Sequence, residues 1–169
     1  MSNRMQVEFE VRLKPEDLYR FNMYQMYTGI HGWISIVLGI AMLVLTVYTF
    51  GTVEMTYTLL YAVFGILFLF YAPVTLKLRS RQSIAASEEL SKPLHYVVDA
   101  DGFKVSQGEA SAELGWNQIY KMVATKRNVL VYSSRKNAYV IPREQLGENY
   151  QALSNLAKEK LEKFRIKMK

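Results

Sequence analysis

Between Phe21 and Leu76 the chain carries a single formally charged side chain, Glu54, in 56 consecutive positions. Two apolar runs lie inside this window, WISIVLGIAMLVLTVYTF at 33–50 and YTLLYAVFGILFLFYAPVTL at 57–76. Each approaches the ~20 residues that cross a ~30 Å hydrocarbon layer as a helix. Neither has a polar stripe, so lipid is their natural solvent. The alternative is a pair of buried helices in a soluble domain. The 121 residues outside 29–76 would then have to wrap both while covering a core of their own.

The flanks give a direction. Trp33 and Tyr71 fall near one predicted surface and Tyr48 and Tyr57 near the other, as interfacial aromatics do. The connection GTVEMT at 51–56 has no Lys or Arg, whereas Arg12, Lys14 and Arg20 precede the first span and Lys77, Arg79 and Arg81 follow the second. By the positive-inside rule both termini are expected in the cytosol, giving a multi-pass membrane protein. The start, MSNRMQVEFEV, has no apolar h-region and does not read as a cleavable signal peptide.

Composition removes several classes. With 50% hydrophobic and 21% charged residues the chain is not disordered, and without cysteine it has no disulfide, thiolate metal site or cysteine nucleophile. The formal charge is +6, and residues 77–169 alone hold 17 basic against 10 acidic side chains. Such a domain is drawn to the anionic inner leaflet. Nucleic acid ranks lower, because no helix-turn-helix, zinc-ligand or RNA-binding aromatic signature accompanies the charge.

Outside the spans the periodicity is that of strands. MQVEFEVRL at 5–13 alternates Met5, Val7, Phe9, Val11 and Leu13 against polar neighbours. Pro15 then suits the first turn of a helix, with Glu16 and Asp17 at its positive end. The aromatic stretch that follows, with Tyr19, Phe21, Tyr24 and Tyr27, reads as a juxtamembrane helix. Six further strands are expected at 94–99, 103–107, 110–116, 119–125, 128–134 and 137–142, separated by turn residues. From 143 to 167 the spacing of Leu146, Tyr150, Leu153, Ala157, Leu161 and Phe164 predicts one amphipathic helix with these residues inward. The expected fold is thus an α+β membrane protein. A two-helix transmembrane hairpin is joined to a cytosolic pleckstrin-homology (PH)-like seven-stranded β-barrel or sandwich, capped by a C-terminal helix. The segments are 1–28 (strand and juxtamembrane helix), 29–76 (hairpin, helices about 30–50 and 57–76), 77–92 (helical linker) and 93–169 (PH-like domain). Strand 5–13 joining the sheet makes the hairpin an insertion within one folded unit.

The order of two spans, a strand pair and then ELGWNQIYKMVATKRNVLVYSSRKNAYVIPREQL resembles the YcxB-like proteins, small bacterial membrane proteins whose C-terminal domain is PH-like. The resemblance rests on Trp116 with Ile119 three positions on, on Ile141-Pro142 followed by Arg143, and on the opening strand with its Pro-Glu-Asp helix. It implies a bacterial cell (inner) membrane as the setting, a structural role for Trp116, Ile119, Ile141 and Pro142, and no catalytic residues.

The residues themselves offer little catalysis. His31 and His95 are the only histidines and lie far apart in the plan: one at the membrane entrance, the other on the outer face of a strand. Asp99 and Asp101 flank a hairpin turn and read as turn chemistry. No HExxH, P-loop or GxGxxG occurs, and Ser133-Ser134 has no adjacent base. Lys126-Arg127 and Arg135-Lys136 bracket strand 128–134, so they sit at opposite ends of it and cannot grip one headgroup. Trp116 reads as packing rather than ligand stacking.

The expectation is therefore a protein that is not an enzyme and takes no cofactor and no metal. Its PH-like domain binds an unidentified protein partner or the inner-leaflet lipids, in a regulatory role. Self-immunity against a membrane-active peptide toxin is the alternative. Candidate membrane-surface contacts are Lys77, Arg79, Arg81, Lys160, Lys163 and Lys167, within a basic C-terminal run that also holds Lys158, Arg165 and Lys169; a solvated polar face is the other reading of that run. Oligomerisation is open: Ser35, Gly39 and Ala41 are candidates for a close helix contact, and the two spans pairing with each other is the simpler use of them.

Overall fold

The structure is a computed structural model describing residues 6–168; Met5 and Lys169, included in the strand and basic-run readings, lie outside the described residues. In chain order the elements are β1 (Val7–Val11), α1 (Pro15–Thr28), α2 (Ile30–Thr49), α3 (Met55–Ala86), α4 (Glu88–Ser91), β2 (Leu94–Val98), β3 (Gly102–Gln107), β4 (Ala110–Gly115), β5 (Lys121–Ala124), β6 (Asn128–Tyr132), β7 (Ala138–Pro142), α5 (Arg143–Leu146), α6 (Asn149–Lys160) and β8 (Ile166–Lys167). Single 3₁₀ turns at Trp116–Gln118 and Lys163–Arg165 link β4 to β5 and lead into β8. The chain forms two compact units. One takes the N-terminal residues to Phe21 together with Gln82 onward, and the other takes Asn22–Arg81.

The Asn22–Arg81 unit is a helical hairpin. α2 and α3 are 20 and 32 residues long, so at ~1.5 Å per residue α2 alone matches a ~30 Å hydrocarbon layer and α3 exceeds it. In their most apolar stretches only 11% and 6% of residues are buried, the reverse of a soluble core helix. What is buried is small: Gly32 and Gly39 on α2; Thr58, Gly65 and Ser80 on α3. A Cβ on Gly39 would stand 2.6 Å from Leu69 Cγ, and one on Gly65 would stand 2.8 Å from Leu43 Cδ2, so the two glycines let the helices meet. At the turn Thr49 Oγ1 and Thr58 Oγ1 are 3.3 Å apart, and towards the other end Asn22 Nδ2 donates to Ser80 Oγ at 3.2 Å. Of the small residues singled out in α2, Gly39 alone makes the contact. Ala41 is exposed, and Ser35 Oγ donates to its own helix at His31 O.

The other unit is built on two sheets, antiparallel except for the β5–β8 pair, with strand orders β1-β2-β3-β4 and β7-β6-β5-β8. β1 alternates buried and exposed along its length; its register pairs Phe9 with Tyr96, and the two rings stack at 5.3 Å. Val7, Phe9, Val11, Tyr96, Val98, Phe103, Val129, Val131 and Ile141 share one core with Leu153, Leu156 and Ala157 of α6. β6 is buried on both faces. Tyr132 on its second face meets Phe21 of α1, with ring centroids 6.3 Å apart. The hairpin turn 99–102 is made as its sequence suggests: Asp99 Oδ1 accepts from the N–H groups of Asp101 (2.8 Å) and Gly102 (3.2 Å).

Two expectations are corrected. The seven-stranded barrel does not close. The described part of the sheet unit has eight strands in two separate four-stranded sheets, because the 3₁₀ turn at Trp116 carries the chain from β4 to β5 without pairing them. The free edge of β1 is taken by helix side chains instead. Arg12 N–H donates to Gln145 Oε1 (2.7 Å), Gln145 Nε2 to Arg12 O (2.9 Å) and Asn149 Nδ2 to Glu8 O (3.1 Å). The single C-terminal helix is likewise broken. α5 stops at Gly147, whose φ of 51° is a left-handed conformation suited to glycine, and α6 stops at Lys160. Phe164, expected inward, is 75% exposed, because the extended Leu161 and the following turn reset the phase.

Candidate functional site

The C-terminal break makes a cleft. After α6 the chain turns back and lays β8 parallel to β5, pairing Met122 with Ile166. Arg165 ties the turn down by donating from Nη1 to Ile119 O at 3.4 Å. Between this turn and the Trp116 turn lies a half-open cleft of about 390 Å³, lined by Asn117, Gln118, Ile119, Tyr120, Lys121, Ser133, Phe164 and Arg165. Its floor is ordered by local bonds: Ile119 is fully buried, Tyr120 N–H donates to Tyr132 O at 2.7 Å, and Gln118 Oε1 accepts from Gly115 N–H at 3.1 Å.

The walls are cationic and aromatic. Lys121 Nζ sits 4.4 Å from the centre of the Tyr132 ring and 6.0 Å from that of Tyr120, and among the described residues it makes no ion pair. The Arg165 guanidinium lies 5.6 Å from the Phe164 ring and pairs with Glu162 at 3.5 Å. No carboxylate, histidine or cysteine lines the cleft among the described residues. Ser133 Oγ donates to Asn137 O at 3.5 Å, and no base is among the described residues lining the cleft with it. The arrangement suits holding an anionic group next to an apolar one.

Tyr120 and Phe164 stand out further. They are the only large apolar side chains strongly exposed in the described part of the sheet unit, at 46% and 75%; all others so exposed lie in the helical unit. The sequence reading assigned Phe164 to a helix core and Tyr120 and Lys121 to an ordinary strand, so it missed this cluster. No signal in the sequence marked it, since Leu161 and Phe164 keep the helical spacing past the end of α6.

The residues named from sequence fall elsewhere. Lys77, Arg79 and Arg81 are exposed on α3, and their two-residue spacing turns Arg79 away from the other two. Lys160 closes α6, Lys163 opens the following turn and Lys167 lies on β8, so these three do not share one helix face. His95 is on the outer face of β2, with Nε2 3.0 Å from Glu8 Oε1. Lys126-Arg127 and Arg135-Lys136 lie in the turns at opposite ends of β6. Trp116 is buried: its Nε1–H donates to Asp99 O at 3.0 Å and its ring meets Phe103 edge-on. Ile119, Ile141 and Pro142 are buried in the sheet unit.

One buried polar cluster lies outside the cleft. Asp17 Oδ2 accepts from Lys14 N–H (3.2 Å) and Oδ1 from Arg20 Nη1 (3.3 Å), which closes the start of α1. Burial nonetheless raises the carboxyl pKa above its ordinary value, against the lowering by the Lys14 N–H and by Arg20. Asn128 Nδ2 donates to Asp17 O at 3.2 Å, while its Oδ1 finds no partner among the described residues.

A family model described as YcxB-like protein matches residues 98–157, the stretch that holds Trp116, Ile119, Ile141 and Pro142. No curated protein and no solved structure matches the chain.

Proposed function

We propose, from the premise that residues 98–157 are YcxB-like, that the chain is a non-enzymatic integral membrane protein. The α2–α3 hairpin crosses a bacterial inner membrane, and a PH-like sheet module on the cytosolic side recognises a protein partner or the inner-leaflet surface in a regulatory role. The observation that carries this reading is the apolar exterior of the hairpin. Its helices bury glycine, serine and threonine and expose leucine, isoleucine, valine and aromatics, which water would not tolerate over such an area. A strand before the hairpin pairs with one after it, which favours both ends of the hairpin leaving on the same side. Two mainly antiparallel sheets followed by a helix support the PH-like reading. The cleft, with cations and aromatics but no nucleophile–base pair among the described residues, favours binding over turnover.

Alkaline carbonate extraction of membranes, paired with protease added to intact spheroplasts, tests the placement. The chain is expected to stay in the pellet and its tail to survive external protease. Release by carbonate, or digestion of the tail from outside, overturns the reading.

A further inference from the structure

We infer that the cleft beside Lys121 and Arg165 is a contact site for anionic phospholipid, taking the headgroup phosphate between the two cations while Tyr120 and Phe164 enter the boundary between headgroups and acyl chains. This rests on the membrane reading above and names the ligand of that module.

Three observations converge. The two strongly exposed large apolar side chains of the sheet unit's described part both flank this cleft. Lys121 is held against Tyr132 without an ion pair among the described residues, so a positive charge is positioned and left uncompensated. Among the described residues the lining offers two cations, two amides and two hydroxyls but no carboxylate, which matches a phosphate diester, although Arg165 shares its charge with Glu162 at 3.5 Å. Aromatic rings flanked by Lys and Arg are the combination that settles at a bilayer interface: the rings partition into the boundary and the charges meet anionic headgroups. Lys163 and Lys167, next in sequence to Phe164 and Ile166, are exposed and add to the same field. An acidic protein segment would satisfy the cations equally well. It would not need a phenylalanine 75% exposed at the rim of the cleft.

The absence of cysteine makes the test clean. The full chain, carrying one nitroxide at Ser133→Cys, is reconstituted in phosphatidylcholine vesicles with and without phosphatidylglycerol. Collision with oxygen and with a water-soluble nickel chelate is then measured. Adding phosphatidylglycerol is expected to raise oxygen accessibility and lower that of nickel. Lys121→Gln should reduce the ratio of bound to free cleft about fivefold, since one cation near an anionic surface contributes on the order of 1 kcal/mol. Phe164→Ala should also reduce it. A label that stays nickel-accessible whatever the lipid overturns the inference, as does a phosphatidylglycerol effect indifferent to both substitutions. A second protein labelled at Leu67→Cys, in the middle of α3, separates the two readings. If that label is also nickel-accessible, the membrane placement itself fails; if it is buried in lipid while Ser133→Cys is not, only the lipid-contact assignment fails.

Discussion

Gly39 and Gly65 face each other across the helical hairpin, each so placed that a Cβ added to it would lie 3.2 Å from the other's carbonyl oxygen. The added methyl would also press on Leu69 from Gly39 and on Leu43 from Gly65. Gly39→Ala and Gly65→Ala are each expected to lower the stability of the hairpin by about 1–3 kcal/mol, the usual result of overpacking a tight contact. Because the two positions share one contact, the double variant should lose less than the two separate losses added together. Unfolding of the detergent-solubilised chain, followed by circular dichroism, checks this. Additive losses would mean that the glycines act independently.

Asn128 links β6 to the start of α1 through its bond to the Asp17 carbonyl. Asn128→Ala deletes that donor in a site 1% exposed, and a loss of about 1–3 kcal/mol is expected from the unmet polar group. Asn128→Asp should cost more, since it replaces the donor with a carboxylate facing a carbonyl in a dry site. Chemical denaturation of the three proteins orders them.

The carboxyls of Asp17 and Glu144 are shifted in opposite directions, and each leaves its own mark on stability against pH. Asp17 is raised by burial from an ordinary value of 3.8. The folded state therefore holds that proton longer, and the stability it contributes is complete below 3.8 and is lost as pH rises through the folded value. Glu144 is lowered from 4.5 by its hydrogen bond and charge pairing with Lys14. Its contribution is present above 4.5 and is lost as pH falls through the folded value. Measured against Asp17→Asn, the native chain should thus lose ground on going from acid to neutral pH. Measured against Glu144→Gln it should gain, though weakly, since that pair is solvent-exposed.

Much of the sheet unit could be read from alternation alone. The seven strands expected between residues 5 and 142 fall on β1 to β7, because Val7, Phe9 and Val11, or Tyr96 and Val98, have only one way to bury a face. The barrel and the C-terminal helix were overdrawn for a common reason: periodicity records which side of an element is apolar and not where a neighbour intervenes. Gln145 and Asn149 read as ordinary polar helix residues, yet they occupy the β1 edge. Phe164 kept the helical spacing after the helix had ended at Lys160. The cleft was invisible for the same reason, since it joins residues 117–121 to 164 and 165 through a turn that no local pattern announces.

Trp116 holds the crossing between the two sheets by a hydrogen bond and a ring contact, and the two can be separated. Trp116→Phe keeps an aromatic against Phe103 but removes the donor to Asp99 O, for an expected loss of about 1 kcal/mol. Trp116→Ala removes both and should lose about 3–5 kcal/mol. Comparable losses in the two variants would assign the role to the hydrogen bond alone.

Deleting residues 1–13 removes β1 and with it Val7, Phe9 and Val11, all buried in the sheet core. At roughly 1.5–3 kcal/mol for each such side chain, the loss is comparable with the about 5–15 kcal/mol that holds a domain together. The sheet unit of the truncated chain is expected to be unfolded. Limited proteolysis between Gln82 and Met168 reads this directly, and a truncated chain as resistant as the native one would refute it.

β1 is synthesised before the helical hairpin, and its partner Leu94–Val98 is synthesised after it. At about 5–20 residues per second, the first strand waits on the order of ten seconds for the second. In the proposed setting, a hairpin threaded with its ends on opposite sides of the bilayer would strand the two for good. Sheet assembly then acts as a proofreader of insertion: only a correctly threaded polypeptide can hide its N-terminal valines, and every misthreaded one leaves them exposed to the proteases that clear defective chains.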